Sequence, residues 1–379
     1  MIKFCPSFTY SETMTLTGKK IVAGDRISNS YILVRKQDRQ RFLDLVDLIE
    51  NGNFENIQEL PDDKVRMAQE IERRGYFNDN TRPTALFNEY DKLAKIIYEL
   101  NFKDDGRAPR NSIFLNILFF GVMLIIVAYV IATPGILSLQ VDYSELSILE
   151  IVFAGVVFPF AVLILHELGH LIVAKILRIS VFTARFGIFV IYPTVYISYR
   201  GININKTFNK VMLLFGGVGG HIIGLLLGVI LMRTGIDGFL VQSWILANAS
   251  MIYANLLPLG ASDGYFMVSS IIGIFNLRLK GYKALNKWMH FQKATSVEIV
   301  CGMILIILWT IGFCGLYFSL KMIGYYFSLP NLIFIIIYSA LMIFQLTKFI
   351  IKIYKFDFHK DVLKNEVDEV KEDYKKAAS

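Results

Sequence analysis

Charge is scarce in this sequence of 379 residues: Asp, Glu, Lys and Arg make up only 19% of it, where soluble domains carry about 25%. That scarcity excludes a disordered chain. Cysteine is almost missing. Cys5, Cys301 and Cys314 form no metal-type pair spacing, and the last two fall in an apolar stretch where a buried free thiol is the expectation. No secretory signal is visible at the start, because residues 1–110 are polar and mixed. No internal repeat, low-complexity tract or nucleotide-binding motif appears. Acids are missing from two stretches, around 175–210 and 278–293, that are rich in Lys and Arg.

What the chain has in excess is apolar surface. Hydrophobic residues reach 54%, and the excess falls almost entirely after residue 110, in blocks of about 20 residues, the length that crosses a bilayer. Six such blocks are predicted: Ile113–Ala132, Ile151–Ala174, Val211–Met232, a long fourth at Phe239–Phe275 broken by Pro258 and Gly260, Val297–Leu320, and Leu329–Ile353. Between the second and third, residues 179–198 alternate and are β-branched, which predicts a hairpin at the membrane surface.

Residues 1–110 carry 18 basic and 18 acidic side chains, and residues 111–379 carry 21 and 14, so the whole net charge of +7 belongs to the membrane part. Lys175, Arg178, Arg185, Arg200, Lys206 and Lys210 lie between spans two and three. Arg278, Lys280, Lys283, Lys287 and Lys293 lie between spans four and five. Both stretches, and with them the two termini, are expected on the cytoplasmic side by the positive-inside rule. A neutral N-terminal region argues against nucleic acid as a partner.

The first 81 residues read as a small α+β domain of winged-helix type. A β run starts at Tyr31, Asp38 is placed to cap a helix over 40–50, a short helix covers 54–60, and Pro61-Asp62-Asp63 opens another. A helical linker is expected over 82–111, the six-span domain over 112–355 and a charged cytoplasmic tail over 356–379. The fold class is therefore a polytopic α-helical membrane protein with about six transmembrane helices and an N-terminal cytoplasmic α+β domain, placed in a bacterial cytoplasmic membrane.

Inside the second apolar block stands His166-Glu167-Leu168-Gly169-His170. Histidines at i and i+4 project from one face of a helix, one turn apart, and can hold one Zn²⁺ while the adjacent glutamate takes a proton from water. Ionisable groups in hydrocarbon cost at least about 2.5–3.5 kcal/mol each, so three in five residues point to function. A third ligand is needed. No His-x-x-Gly-x-x-His continuation follows, and the next acid after Glu167 is Asp237. His221, Asp263 and Glu298 remain as candidates. Glu298 starts its span from a basic loop and is expected at the interface. Asp263 follows Asn255-Leu-Leu-Pro258-Leu-Gly-Ala-Ser, where proline and glycine unwind a membrane helix, and irregular backbone is tolerated at that depth only when buried or lining water. Asp263 is thus the favoured third ligand, with a helix-end cap as the plainer reading. His221 sits among Gly216, Gly217, Gly219, Gly220 and Gly224 and reads as a helix-contact histidine or a substrate-polarising donor.

Together, His166-Glu-Leu-Gly-His170 and Asn255-x-x-Pro258-x-x-x-x-Asp263-Gly264 resemble the site-2 protease family of intramembrane zinc metalloproteases, over roughly residues 112–275. The resemblance implies His166, His170 and Asp263 as zinc ligands, Glu167 as general base, and Asn255 with Pro258 as an element positioning an extended substrate. The Gly216–Gly224 stretch with His221 has no clear counterpart in that pattern. More weakly, the N-terminal domain resembles PqqD-like peptide-recognition elements, through Tyr31-Ile-Leu-Val, the Phe42–Gly52 run and Ile71-Glu-Arg-Arg-Gly75-Tyr-Phe. That likeness implies a leader peptide added to a sheet edge near Tyr31, Leu33 and Arg35.

The expected function is hydrolysis of a peptide bond in a membrane-associated or ribosomally made precursor, with Zn²⁺ as cofactor and the lipid bilayer as surroundings. Two alternatives stand beside it: regulated intramembrane proteolysis of a membrane-bound transcription regulator, and a peptide exporter or immunity protein that binds metal without hydrolysis.

Overall fold

A computed structural model describes residues 2–5, 8–15, 18–25, 31–34, 36–52, 54–73, 76–77, 95–102, 109–110, 112–136, 139, 146–189, 192–199, 205–257, 262–274, 277–326 and 331–355. Arg35, Pro258, Gly260, most of the linker over 82–111 and the tail over 356–379 lie outside the described residues. The chain forms two compact units. One is Met1–Leu256 with Ser270–Gly273, and the other is Leu257–Ser269 with Ile274–Ser379.

The first unit begins with three antiparallel strands, β1 (Phe8–Thr15), β2 (Gly18–Asp25) and β3 (Tyr31–Val34), in the order β1-β2-β3. Only the third is foreseen by the sequence reading. Helix α1 (Arg39–Asn51), a 3₁₀ turn at Ile57–Glu59 and helix α2 (Asp62–Arg73) follow. Phe42, Leu45, Val46 and Ile49 form the buried stripe of α1. Their helical spacing aims them at one core with Ile21, Ala23, Ile71 and Tyr76. Asp38 stands at the N-cap of α1 but makes no capping hydrogen bond. Its carboxylate lies 3.6 Å from Arg41 instead. A backbone bridge between Phe4 and Phe77 closes the domain.

Residues 95–101, expected at the end of a helix, form strand β4 (Lys95–Asn101). Lys-Ile-Ile-Tyr-Glu-Leu-Asn is β-branched and alternating enough to pair, and pairing overrides weak helix propensity. β4 joins the expected hairpin β5 (Val181–Phe189) and β6 (Tyr192–Tyr199) in an antiparallel sheet ordered β4-β5-β6. Arg185 on β5 pairs with Glu99 on β4 at 2.7 Å.

Among the described residues, five helices are long and apolar enough to cross a membrane: Ile113–Ile131, Ile148–Leu177, Thr207–Arg233, Ser296–Gly315 and Ile335–Tyr354. This is the character of a polytopic membrane protein. The first is α3 (Ile113–Ile131), capped by Ser112, whose hydroxyl accepts from the Leu115 N–H at 3.2 Å. The second starts at a capping box, with Ser147 and Glu150 bonded to each other's backbone. It runs as α4 (Ile148–Val152), a π-turn at Phe153–Val157 and α5 (Phe158–Leu177). The third is α6 (Thr207–Arg233).

The expected fourth span differs from its prediction. It is two helices, α7 (Phe239–Leu256) and α8 (Asp263–Ile272). Gln242, Ser243, Asn248, Ser250 and Asn255 dilute the apolar character of α7, and α8 is too short to cross alone. α5 and α6 approach backbone to backbone. A Cβ on Gly169 would sit 2.1 Å from the Gly216 carbonyl oxygen, and one on Gly220 would sit 2.1 Å from that of Leu165. Only glycine permits that contact. The pair buries Val173, Leu177, Met212 and Leu213 against Tyr199 of β6.

In the second unit, α9 (Leu277–Met289), α10 (Ser296–Tyr326) and α11 (Asn331–Tyr354) pack around Tyr282, Leu285, Leu305 and Ile353. Cys301 is buried here as expected, whereas Cys314 is exposed on the flank of α10.

Candidate metal centre

His166 and His170 lie on α5, both buried. Their i, i+4 spacing brings the two Nε2 atoms to 3.1 Å. A tetrahedral ion with metal–nitrogen bonds of about 2.0–2.1 Å has a ligand–ligand edge of about 3.3–3.4 Å. The two nitrogens are therefore already near the separation such an ion needs. His170 Nδ1 lies 2.7 Å from the Leu213 carbonyl oxygen. A carbonyl can only accept, so Nδ1 carries the hydrogen and Nε2 keeps its lone pair.

His166, His170 and Asp263 are of the residue types that could hold a metal ion; the first two belong to one unit and Asp263 to the other. Two neutral imidazoles leave coordination places open for further ligands. Asp263 is the first residue of α8, yet it is not the cap. Ser262 takes that role, its hydroxyl accepting from the Tyr265 N–H at 3.3 Å and donating to the Leu257 carbonyl at 2.6 Å. The capping reading of Asp263 therefore falls to its neighbour. Glu167 is half-buried on α5, one residue past His166.

Glu298, the other acidic candidate, is engaged elsewhere. It accepts from Lys287 at 2.8 and 3.0 Å, with Lys283 at 3.4 Å, and so joins α9 to α10. His221 on α6 is fully buried, and its Nε2 stands 3.1 Å from His166 Nδ1. Asn255 near the end of α7 donates to the Met251 carbonyl at 2.9 Å, and its Nδ2 also lies 3.5 Å from His221 Nε2. Tyr31 and Leu33 lie on β3, an edge strand of its sheet among the described residues, with Leu33 exposed. Burial raises the Tyr31 hydroxyl above the usual tyrosine range.

Two contributors escape the sequence reading. Gly217 is the floor under the imidazoles: a Cβ there would lie 2.3 Å from His166 Cε1 and 2.6 Å from His170 Nε2. The glycine run on α6 was the available signal, but it reads equally well as helix packing. The Leu213 carbonyl is invisible in sequence, because any residue supplies a carbonyl. Compared with family models, curated proteins and solved structures, the chain finds no match in any of the three.

Proposed function

We propose that this protein is an intramembrane zinc metalloprotease. The observation that carries the reading is the buried His166–His170 pair, its Nε2 atoms 3.1 Å apart and Glu167 beside its first member, on a helix apolar enough to span a bilayer. Zinc bound there supplies a Lewis acid that polarises the scissile carbonyl and acidifies water. The two histidines and Asp263 hold the ion and leave one place open. Glu167 accepts a proton from the attacking water and returns it to the departing amine. Asn255, at the end of α7, positions an extended stretch of substrate, whose amide is reachable only once its own helical hydrogen bonds are broken.

The substrate on this reading is a ribosomally made or membrane-associated precursor peptide. Support comes from β3, a short edge strand to which a peptide could add by main-chain pairing, in a domain of three strands followed by helical segments. The location that goes with it is a bacterial cytoplasmic membrane, with both termini cytoplasmic. Stripping the purified protein with a chelator and adding back zinc tests the proposal. Cleavage of a precursor should disappear and return. Cleavage that persists without metal would refute the metalloprotease reading, and stoichiometric zinc with no cleavage would favour a metal-binding carrier.

A further inference from the structure

We propose that His221 is a positioning residue: its Nε2 accepts a hydrogen bond from His166 Nδ1–H and so turns the His166 Nε2 lone pair toward His170. The inference rests on the metal-site reading above and adds to it the residue that sets the first histidine's tautomer.

The argument follows from fixing protons at the two ends of a buried network. At one end, His170 Nδ1 faces the Leu213 carbonyl at 2.7 Å, which forces the hydrogen onto Nδ1 and leaves Nε2 bare. At the other end, the Asn255 amide is pinned by the Met251 carbonyl at 2.9 Å. Reversing that amide would set two carbonyl oxygens against each other, so Nδ2 is the atom that also faces His221 Nε2, at 3.5 Å. The Asn255 contact is long, but its polarity is that of a donor.

His221 Nε2 therefore meets N–H from Asn255 and stands 3.1 Å from His166 Nδ1. If this nitrogen accepts, His166 Nδ1 must carry the hydrogen, since two lone pairs would otherwise oppose each other at hydrogen-bond distance. His166 Nε2 is then bare as well. Two bare nitrogens now face each other at 3.1 Å, an arrangement that a cation between them stabilises. The opposite proton order would place a hydrogen on His166 Nε2 and remove it as a ligand.

His166 and His170 thus share one design, with Nε2 toward the centre and Nδ1 bonded to a buried acceptor. For His170 the acceptor is backbone; for His166 it is a second histidine on α6. Such outer partners orient metal-bound imidazoles, and losing one lowers metal affinity about 10–100-fold. Full burial of His221 and its 31° tilt to the His166 ring leave it little freedom to turn away.

The test uses the full chain purified in detergent, with zinc affinity read by chelator competition and site geometry by the visible spectrum of the Co²⁺ form. His221→Phe keeps a ring but offers no acceptor, and zinc affinity should fall about 10–100-fold. His221→Gln retains an acceptor oxygen and should recover most of that loss. In the zinc-loaded wild type, ¹⁵N resonances of labelled histidine should show His221 unprotonated at Nε2 and protonated at Nδ1. Unchanged affinity in His221→Phe, or a His221 hydrogen on Nε2, would overturn the role. The resonance measurement decides the matter even if His221→Phe fails to fold. If wild type and His166→Ala bind zinc equally poorly, the metal-site reading itself fails; if only His166→Ala loses zinc while His221→Phe keeps it, this inference alone fails.

Discussion

Replacing Gly217 by alanine separates the geometry of the centre from the stability of the helix that carries it. A Cβ at this position would stand 2.3 Å from His166 Cε1, 2.6 Å from His166 Nδ1 and 2.6 Å from His170 Nε2. Non-bonded carbons rest at about 3.5–4.0 Å, so the His166 ring must retreat by roughly an ångström. Misplacement on that scale can cost about 10²-fold in rate. The helix itself gains, because alanine is favoured over glycine in a helix interior by about 0.8–1.0 kcal/mol. Gly219→Ala is the matched control: the nearest atoms to its Cβ would be Phe119 Cζ at 3.3 Å and the flexible end of Met123 at 3.6 Å. Metal content after dialysis against a weak chelator, together with the melting temperature of the metal-free protein, reads the two effects apart. The expected outcome is metal affinity lowered at least about tenfold in Gly217→Ala, with the melting temperature near that of wild type and Gly219→Ala unaffected in both. Undiminished metal binding in Gly217→Ala would show that the α6 backbone is not the floor of the centre.

On the proposed reading Asp263 is the third ligand, so Asp263→Ala should weaken zinc binding and abolish cleavage; isothermal titration with zinc checks this, and full affinity would remove Asp263 from the ligand set. Gly169→Ala should instead destabilise the fold, because its Cβ would strike the Gly216 carbonyl at 2.1 Å; thermal unfolding in detergent measures the loss. In the N-terminal domain, Arg39 donates to Glu12 and holds its carboxyl below the usual value of 4.5. A depressed folded-state value contributes stability above pH 4.5 that is lost as pH falls through the lower value. The pair is more than a third exposed, so the effect is small. Glu12→Gln should therefore melt slightly below wild type at pH 7 and level with it once the pH lies well below that lowered value, and an equal gap at both would contradict the assignment. Leu33→Asp on the β3 edge should raise KM for a cleaved precursor and leave zinc content unchanged.

The parts of this molecule legible in sequence are those governed by periodicity and local chemistry. The i, i+4 histidines, the buried stripe of α1 and the 179–198 hairpin follow from spacing alone. The parts that were not legible depend on partners distant in the chain. β4 reads as helix until β5 offers it a register. Asp38 has a capping residue's chemistry, yet Arg41 competes for its carboxylate. Ser262 shows the converse, since it caps α8 one residue before Asp263, for which a helix-end cap is the plainer sequence reading. The fourth apolar block counts as a span only when its polar residues, Asn248 and Asn255 among them, are averaged away. His221 looked like a helix-packing residue because the glycines around it pack helices, and only the 3.1 Å approach to His166 sets it beside the metal group.

The central claim is that Glu167 and the adjacent metal group cut a peptide bond. Mass spectrometry of peptides released by zinc-loaded wild type and by zinc-loaded Glu167→Gln tests it most directly. The account predicts a defined pair of fragments from wild type, and none from the variant although its zinc content is the same. The same fragments released at the same rate by Glu167→Gln would contradict it.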